Sequence, residues 1–150
     1  MSTWPYNSLM DQDLERLARL LKQAQYRQHR AIDAALVEIG TTIVQWDALR
    51  AIASAPGASA HALAAASFQT DQAFGVLAQR LLARRLIERS PGKGRRIEHR
   101  LSAEGQRLLS DGNRIVDRVR KELYKVFPQA DRDRLAELLS AFTKESIQAD

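Results

Sequence analysis

Cysteine is absent from the 150-residue sequence, and this absence excludes several kinds of site. Without thiols the chain forms no disulfide bond, holds no thiolate metal site and has no cysteine nucleophile or thiol redox sensor. Long apolar runs are absent too, since no stretch approaches the roughly 18 consecutive apolar residues that a membrane span needs. The N-terminal segment lacks the basic start and the apolar core of a secretory signal. We therefore expect a cytoplasmic protein that has no contact with a membrane.

Motifs for catalysis are also missing. The sequence has neither a glycine-rich phosphate-binding loop nor a Gly-x-Ser-x-Gly turn around a nucleophilic serine. Its three histidines, His29, His61 and His99, are too widely separated to form a metal-binding motif. We therefore predict a protein that is not an enzyme, with no catalytic residue, no metal and no cofactor.

The size and composition indicate one folded domain. A chain of 150 residues with 45% hydrophobic and 27% charged residues is typical of a globular domain with an apolar core of its own. We predict that residues 1–150 form this single domain.

The charge is unevenly distributed along the chain. Residues 61–102 hold 8 Lys or Arg and 3 Asp or Glu, whereas residues 1–60 hold 6 of each class and residues 103–150 hold 9 of each. The formal net charge of +5 therefore comes from the middle segment. A concentrated basic surface suits binding to nucleic-acid phosphates, because each neutralised phosphate releases counterions. The alternative interpretation is a solvated basic face without a partner.

A long helix is predicted before this basic segment. Apolar residues recur three and four positions apart over residues 11–39, and Gly40 is suited to end the helix in a left-handed cap. A helix of this length at one end of a small domain often packs on another subunit. Trp4 and Tyr6, which precede it, either add aromatic contacts to that interface or are disordered.

Two further helices are predicted after the basic segment. The first is capped by Ser102, covers residues 103–127 and is broken by Pro128, and the second covers residues 131–148. Their inner faces are predicted to carry Leu108, Ile115, Val119 and Val126 in the first helix, and Leu135, Leu138, Leu139 and Phe142 in the second.

The segment between the long helices contains helix start signals at short intervals. Thr42 and Gln45 have the spacing of a capping box, in which each side chain bonds to the other residue's free backbone N–H. Ser59 and Thr70 are suited to cap two more helices, which are separated by residues 67–69. Two short helices joined in this way form a helix-turn-helix.

The helix after Thr70 has two different faces. One face is an apolar stripe, and the opposite face is left free for contact with a partner. We hypothesise that this free face lies in a DNA groove. The stripe consists of Phe74, Leu77, Ala78, Leu81 and Leu82.

The periodicity changes from 3.6 to 2 after Ile87. Ile97, His99 and Leu101 alternate with charged residues, as in a half-buried strand, and Pro91 with the two glycines of residues 90–96 permits a tight reversal before it. His99 is interpreted as a core histidine. A helix-turn-helix followed by a β-hairpin is a winged helix.

Five short motifs follow one another in this order along the chain. They are Thr42-x-x-Gln45-Trp46-x-x-Leu49, Leu63-Ala64, the Leu81 to Arg89 segment ending in Leu86-Ile87-Glu88-Arg89, the basic turn at residues 93–96, and Leu101-Ser102-x-x-Gly105-x-x-Leu108-Leu109. In this order and spacing they resemble the MarR family of transcriptional regulators, and the resemblance covers nearly the whole chain.

The resemblance implies a fold class and a mode of action. The fold is mainly α, with a winged helix-turn-helix lobe and its two-stranded β-wing at residues 42–102, flanked by dimerisation helices at residues 9–40 and 103–150. The family forms homodimers that bind double-stranded DNA, with one recognition helix of each subunit in the major groove and one wing near the minor groove. Such proteins usually repress genes and release DNA when a small aromatic or phenolic ligand binds between the lobe and the dimer helices. The operator is then expected to be pseudo-palindromic.

Candidate DNA contacts lie on the free face of the recognition helix and at the wing tip. Glutamine can pair with adenine, arginine can reach guanine or phosphate, and an alanine methyl group can meet a thymine methyl group. Basic residues at a loop tip can enter a narrow groove. The alternative interpretation of each residue is a solvent-facing side chain. The predicted contacts are Thr70, Gln72, Ala73, Gln79, Arg80, Lys93, Arg95 and Arg96.

The chain departs from the family pattern at three places. The wing has Lys93-Gly94-Arg95 where the family usually has Asp-x-Arg. Arg85 stands where relatives usually have glycine, and Gly75 and Val76 occupy recognition-helix positions that are commonly polar or basic. Three other basic residues are predicted to contact phosphates or to pair with Glu88 and nearby acids, namely Arg84, Arg85 and Arg89.

The resemblance also implies an effector pocket, and one other function is compatible with the sequence. The family fold would place Tyr26, His29 and Trp46 near the junction of the dimer helices and the lobe, although Trp46 is more readily interpreted as a core residue. The alternative function is a winged-helix interaction module that binds an acidic protein, and the apolar pair Gly75 and Val76 favours it.

Overall fold

Helices dominate the computed structural model, which describes residues 9–144 and their side chains from residue 12 onward. Trp4, Tyr6 and the end of the helix predicted over residues 131–148 lie outside the described residues. The predicted fold class, mainly α with a two-stranded wing, is confirmed. The elements are α1 (Leu9–Leu36), a 3₁₀ turn (Val37–Ile39), α2 (Ile43–Ser54), α3 (Ala60–Ala66), α4 (Asp71–Ala83), β1 (Ile87–Pro91), β2 (Ile97–Leu101), α5 (Ala103–Tyr124) and α6 (Gln129–Lys144). Within residues 9–144, none of these helices has the length and apolar character needed to cross a membrane.

Side-chain caps begin four of the helices. The hydroxyl groups of Thr42, Ser59, Thr70 and Ser102 each accept a hydrogen bond from the backbone N–H three residues further on. Each cap satisfies a donor that the first turn of a helix leaves free. The predicted starts of these helices are confirmed because a cap depends on nearby residues alone.

The second half of the predicted capping box is wrong. The Gln45 N–H donates to Thr42 Oγ1 at 3.2 Å, but the Gln45 side chain has other partners. Its Oε1 accepts from Thr41 Oγ1 at 3.2 Å and from Arg84 Nη1 at 2.6 Å. Gln45 therefore connects the start of α2 with the end of α4.

The wing is an antiparallel pair in which Ile87 faces Leu101, Arg89 faces His99 and Pro91 faces Ile97. The predicted burial is confirmed for His99, of which 2% is exposed, whereas Ile97 is 51% exposed. Ile97 pairs with the last residue of β1, at the tip of the hairpin, while the buried positions lie towards its base.

Two apolar clusters hold the chain together. The lobe cluster lies between α2, α3, α4 and the base of the wing, with Phe74 and Leu81 fully buried at its centre. The joint cluster packs α1, α2 and α5 around Trp46. Leu109 of α5 packs against both clusters, so α5 joins the lobe to the flanking helices.

The start of α5 packs closely against the backbone that follows α4. Ser102 donates its N–H to the Leu86 carbonyl at 3.0 Å and its hydroxyl to the Arg85 carbonyl at 2.7 Å. A Cβ atom at Gly105 would lie 2.0 Å from the Leu86 carbonyl oxygen. Only glycine fits at this position because the obstacle is backbone.

Apolar side chains of α1 and α6 are uncovered in the single chain. Leu17 and Phe142 are 64% and 71% exposed. Val126, predicted to face inward, is 69% exposed because α5 ends at Tyr124 and Val126 lies in the following turn.

Two glycine-to-alanine substitutions should change stability in opposite directions. Gly105→Ala should lower the free energy of unfolding by about 1–3 kcal/mol, because the new methyl group overlaps the Leu86 carbonyl. Gly75→Ala on α4 should raise it by about 1 kcal/mol, because nothing lies within 4 Å of the new methyl group and alanine is the better helix former. Urea unfolding of both variants checks this, and equal effects of the two substitutions would contradict the close docking.

Candidate nucleic-acid interface and ligand cleft

The recognition helix α4 is fixed by its inner face. Phe74, Leu77, Ala78 and Leu81 are buried against the lobe cluster. The helix therefore cannot rotate without exposing this stripe, and its outer face has a defined direction. Every predicted contact residue on that face is exposed, namely Thr70, Gln72, Ala73, Gln79 and Arg80.

The wing tip is a tight basic turn. Gly92 N–H donates to the Arg96 carbonyl at 2.7 Å, and Arg96 N–H donates to the Lys93 carbonyl at 3.3 Å. Gly94 has a φ of 67°, a left-handed conformation that glycine adopts without strain. The side chains of Lys93, Arg95 and Arg96 are all exposed. The three predicted wing contacts therefore lie together on one accessible turn.

Two of the other basic residues have partners within the chain. Arg84 donates to Gln45, so its partner is an amide and not Glu88. Arg89 Nε lies 3.4 Å from His99 Nε2 across the hairpin. Arg85 is exposed and has a φ of 58°, which explains why a glycine suits this position.

His61 and Asp71 form a contact that the sequence does not indicate. His61 Nδ1 of α3 lies 2.9 Å from both carboxylate oxygens of Asp71, the first residue of α4. Both side chains are exposed. The pair spans the helix-turn-helix, and no spacing rule predicts it because the turn geometry brings the two residues together.

Two of the three residues predicted for an effector pocket are exposed on α1, and the third is buried. Tyr26 is 61% exposed on α1, and His29 on the same helix is exposed. Trp46 is 4% exposed and belongs to the joint cluster, which confirms its core role. Its Nε1–H donates to Asn113 Oδ1 at 2.9 Å.

An open cleft of about 450 Å³ lies instead between α2, β2 and α5. The half-buried Leu101 and Leu109 supply apolar surface, and Arg100 supplies a positive charge. Arg100 Nη2 lies 3.5 Å from Glu98 Oε2, and this pair is partly exposed. The cleft therefore has apolar surface beside a guanidinium group, a combination that suits a small aromatic acid. Its polar rim is formed by Gln106, Ser110 and Asn113.

His99 is the titratable residue at the base of the wing. Burial lowers the pKa of His99 below its ordinary value of 6.5, the backbone of Ala58 opposes this shift, and the nearby Arg89 guanidinium adds to it. The His99 ring also meets the edge of Phe74 at a centroid distance of 6.3 Å. Burial in the folded lobe therefore favours the neutral form of His99. Among residues 9–144, no group of three or more His, Asp or Glu side chains is arranged to hold a metal ion.

Comparison with known proteins agrees with this architecture. A family model described as MarR family matches residues 39–96, which include α2 to α4 and most of the wing. No curated protein matches the sequence.

Several solved structures share the fold. A mutant of MarR from E. coli complexed with operator DNA is 20% identical with a TM-score of 0.82, covering 91% of this chain and 99% of that one. BpsR of Bordetella bronchiseptica, whose DNA binding is regulated by 6-hydroxynicotinic acid, is 18% identical with a TM-score of 0.79. The match covers 86% of this chain and 99% of BpsR. A MarR family protein of Mycobacterium tuberculosis in complex with p-aminosalicylic acid is 21% identical with a TM-score of 0.70, covering 84% and 97%. The predicted resemblance is confirmed.

Stability should depend on pH through His99. Because the folded-state pKa is lowered, the unfolded chain binds more protons below about pH 6.5, and the free energy of unfolding falls as the pH falls. His99→Leu should flatten this dependence between pH 7.5 and 5. Urea unfolding across that range checks it, with His29→Gln as an exposed histidine control that should keep the dependence of the unmodified chain. A His99→Leu variant with an unchanged slope would contradict this role of His99.

Proposed function

We propose that this chain is a member of the MarR family and a homodimeric DNA-binding transcriptional repressor that a small aromatic ligand releases from its operator. The observation that carries the proposal is the position of the predicted contacts. All eight are exposed, on the outer face of α4 and on the wing tip, within the segment that holds the chain's excess positive charge.

Electrostatics and side-chain chemistry support DNA as the partner. Lys93, Arg95 and Arg96 would neutralise phosphates at the groove edge and supply affinity that does not depend on sequence. Gln72 and Gln79 project from an exposed helix face and have the donor and acceptor pair that recognises adenine. The wing would therefore position the protein, and α4 would select the sequence.

The uncovered helices support a dimer. Four large apolar side chains are between 52% and 71% exposed in the single chain. They are Leu14 and Leu17 of α1 and Leu138 and Phe142 of α6. Exposed apolar surface on the first and last helices is typical of an interface with another subunit. A second copy with two-fold symmetry would place two recognition helices on two half-sites of one operator.

DNA binding should separate wing residues from helix residues. The unmodified chain should bind a duplex selected from a random pool about a thousandfold more tightly than random duplex. Lys93→Ala should weaken binding to both duplexes and reduce the salt slope by about one, whereas Gln72→Ala should weaken only the selected duplex, by about tenfold. Fluorescence anisotropy at several salt concentrations measures both effects, and sedimentation of the complex gives the number of chains bound.

The matched control is Arg19→Ala, which removes one positive charge from an exposed pair on α1, outside the lobe. It should leave both affinities unchanged, because an exposed pair of this kind contributes little. Equal affinity for selected and random duplex would contradict sequence-specific binding. Capture of an acidic protein in place of DNA would then favour the interaction-module alternative.

A ligand site is proposed in the cleft beside Arg100. A carboxylate there would replace Glu98 as the partner of Arg100, while the aromatic ring would lie on Leu101 and Leu109. The cleft touches α2, β2 and α5, which are the elements that join the lobe to the flanking helices. A ligand that favours another arrangement of these elements would therefore weaken binding to a two-site operator.

Aromatic acids should lower the operator affinity of the unmodified chain by roughly 5- to 150-fold. Salicylate and 6-hydroxynicotinate are the probes, and anisotropy with the selected duplex is the measurement. Arg100→Ala should raise the concentration needed for release at least tenfold, because it removes the charge that holds the carboxylate. Arg107→Ala, an exposed α5 residue outside the cleft lining, is the control. An unchanged response in Arg100→Ala would place the ligand outside the cleft.

A further inference from the structure

Three helices of the chain end in the same backbone motif. After α3, Gln69 N–H donates to the Ala64 carbonyl and Phe68 N–H to the Ala65 carbonyl, at 2.9 and 3.2 Å. This paired arrangement is the Schellman motif, which needs a left-handed residue after the helix and usually has glycine there. The residues at the left-handed position are Gly40 after the 3₁₀ turn, Phe68 after α3 and Arg85 after α4, with φ values of 70°, 54° and 58°.

Phe68 is an unusual residue for this position. A left-handed conformation is strained for any residue with a Cβ atom, and a bulky residue adopts it rarely. Phe68 is 96% exposed, so its side chain has almost no packing partner among residues 9–144. The fold therefore gains neither backbone stability nor apolar burial from phenylalanine here. Strained residues that the interior does not explain tend to occur at functional sites.

The position of Phe68 indicates where it acts. It lies in the turn of the helix-turn-helix, two residues before Thr70, which caps the recognition helix. The neighbouring polar side chains of His61 and Asp71 contact each other at 2.9 Å. An exposed aromatic ring at this place can add an apolar contact next to the polar and cationic contacts of α4 and the wing.

We propose that Phe68 packs on the apolar surface of the DNA, a thymine methyl group or a deoxyribose, at the edge of the groove that α4 enters. This inference rests on the proposed function. The surrounding segment carries the excess positive charge of the chain, which favours a polyanion over a second copy of the same lobe. Apolar contacts between phenylalanine and the thymine methyl group are an established mode of base recognition. The contribution of Phe68 to affinity is then insensitive to salt, and it adds sequence specificity if the contact is to a thymine methyl group.

The experiment compares Phe68→Gly with the unmodified chain on the duplex selected from a random pool. Phe68→Gly should raise the Tm by roughly 2–4 °C, because the backbone strain is relieved, and should weaken operator binding about tenfold with an unchanged salt slope. Arg85→Gly is the stability control, since it relieves the same conformation elsewhere and should raise the Tm similarly. Val37→Ala removes an apolar side chain that is 69% exposed outside the lobe, and it should leave DNA affinity unchanged.

Modified duplexes distinguish the two kinds of DNA contact. Replacing single thymines by deoxyuracil removes the methyl group. If Phe68 contacts a thymine, one such duplex should be bound more weakly by the unmodified chain, whereas Phe68→Gly should bind it as it binds the original duplex. If no thymine position behaves in this way while Phe68→Gly still binds more weakly, the contact is to a deoxyribose. Phe68→Leu keeps an apolar side chain and should retain most of the affinity.

Two results would overturn the inference. The first is a Phe68→Gly variant that binds the selected duplex as tightly as the unmodified chain. The second is a variant whose weaker binding is accompanied by a lower Tm or by a changed oligomeric state in sedimentation. If the unmodified chain selects no duplex at all, the proposed function fails instead, so the two failures are distinguishable.

Discussion

The burial of Trp46 is the interaction on which the arrangement of the two parts of the chain depends. Its indole ring lies in the joint between α1, α2 and α5, and its N–H must find a partner there, which is Asn113. A Cβ atom at Gly112 would lie 2.6 Å from the ring, so the glycine permits the close approach of α5 to α2. The side chain of Asp33 on α1 accepts the Ile43 N–H at 2.8 Å and holds the start of α2 in the same joint. The position of the lobe relative to the flanking helices follows from these contacts.

The recognition helix is held on one side and free on the other. Its apolar stripe is buried in the lobe, its far end is tied to Gln45 through Arg84, and the backbone that follows is covered by Ser102 and Gly105. These constraints fix the direction of the outer face without using any of the residues on it. Outer-face residues can therefore be substituted at little cost to the fold, and such substitutions would change the DNA sequence that the proposed interface selects.

A ligand bound in the proposed cleft would act through geometry. In the proposed dimer, two lobes would have to match two half-sites at once, so a small change in their separation would weaken binding even with every contact residue intact. The cleft between α2, β2 and α5 lies at the junction where such a change would arise. The base of the wing is sensitive to pH as well, because burial lowers the pKa of His99 and favours its neutral form.

The sequence by itself determined the features that depend on neighbouring residues. The caps at Thr42, Ser59, Thr70 and Ser102, the apolar stripe of α4 and the hairpin could all be predicted, since hydrogen bonding and periodicity act over a few residues. Only the tertiary structure decided the contacts between distant segments, such as Gln45 with Arg84 and His61 with Asp71. It also decided that Ile97 and Val126 are exposed and that the cleft does not include Tyr26. The physical reason is that a periodic pattern specifies which face of an element is apolar, whereas the packing of several elements determines how much of that face is covered.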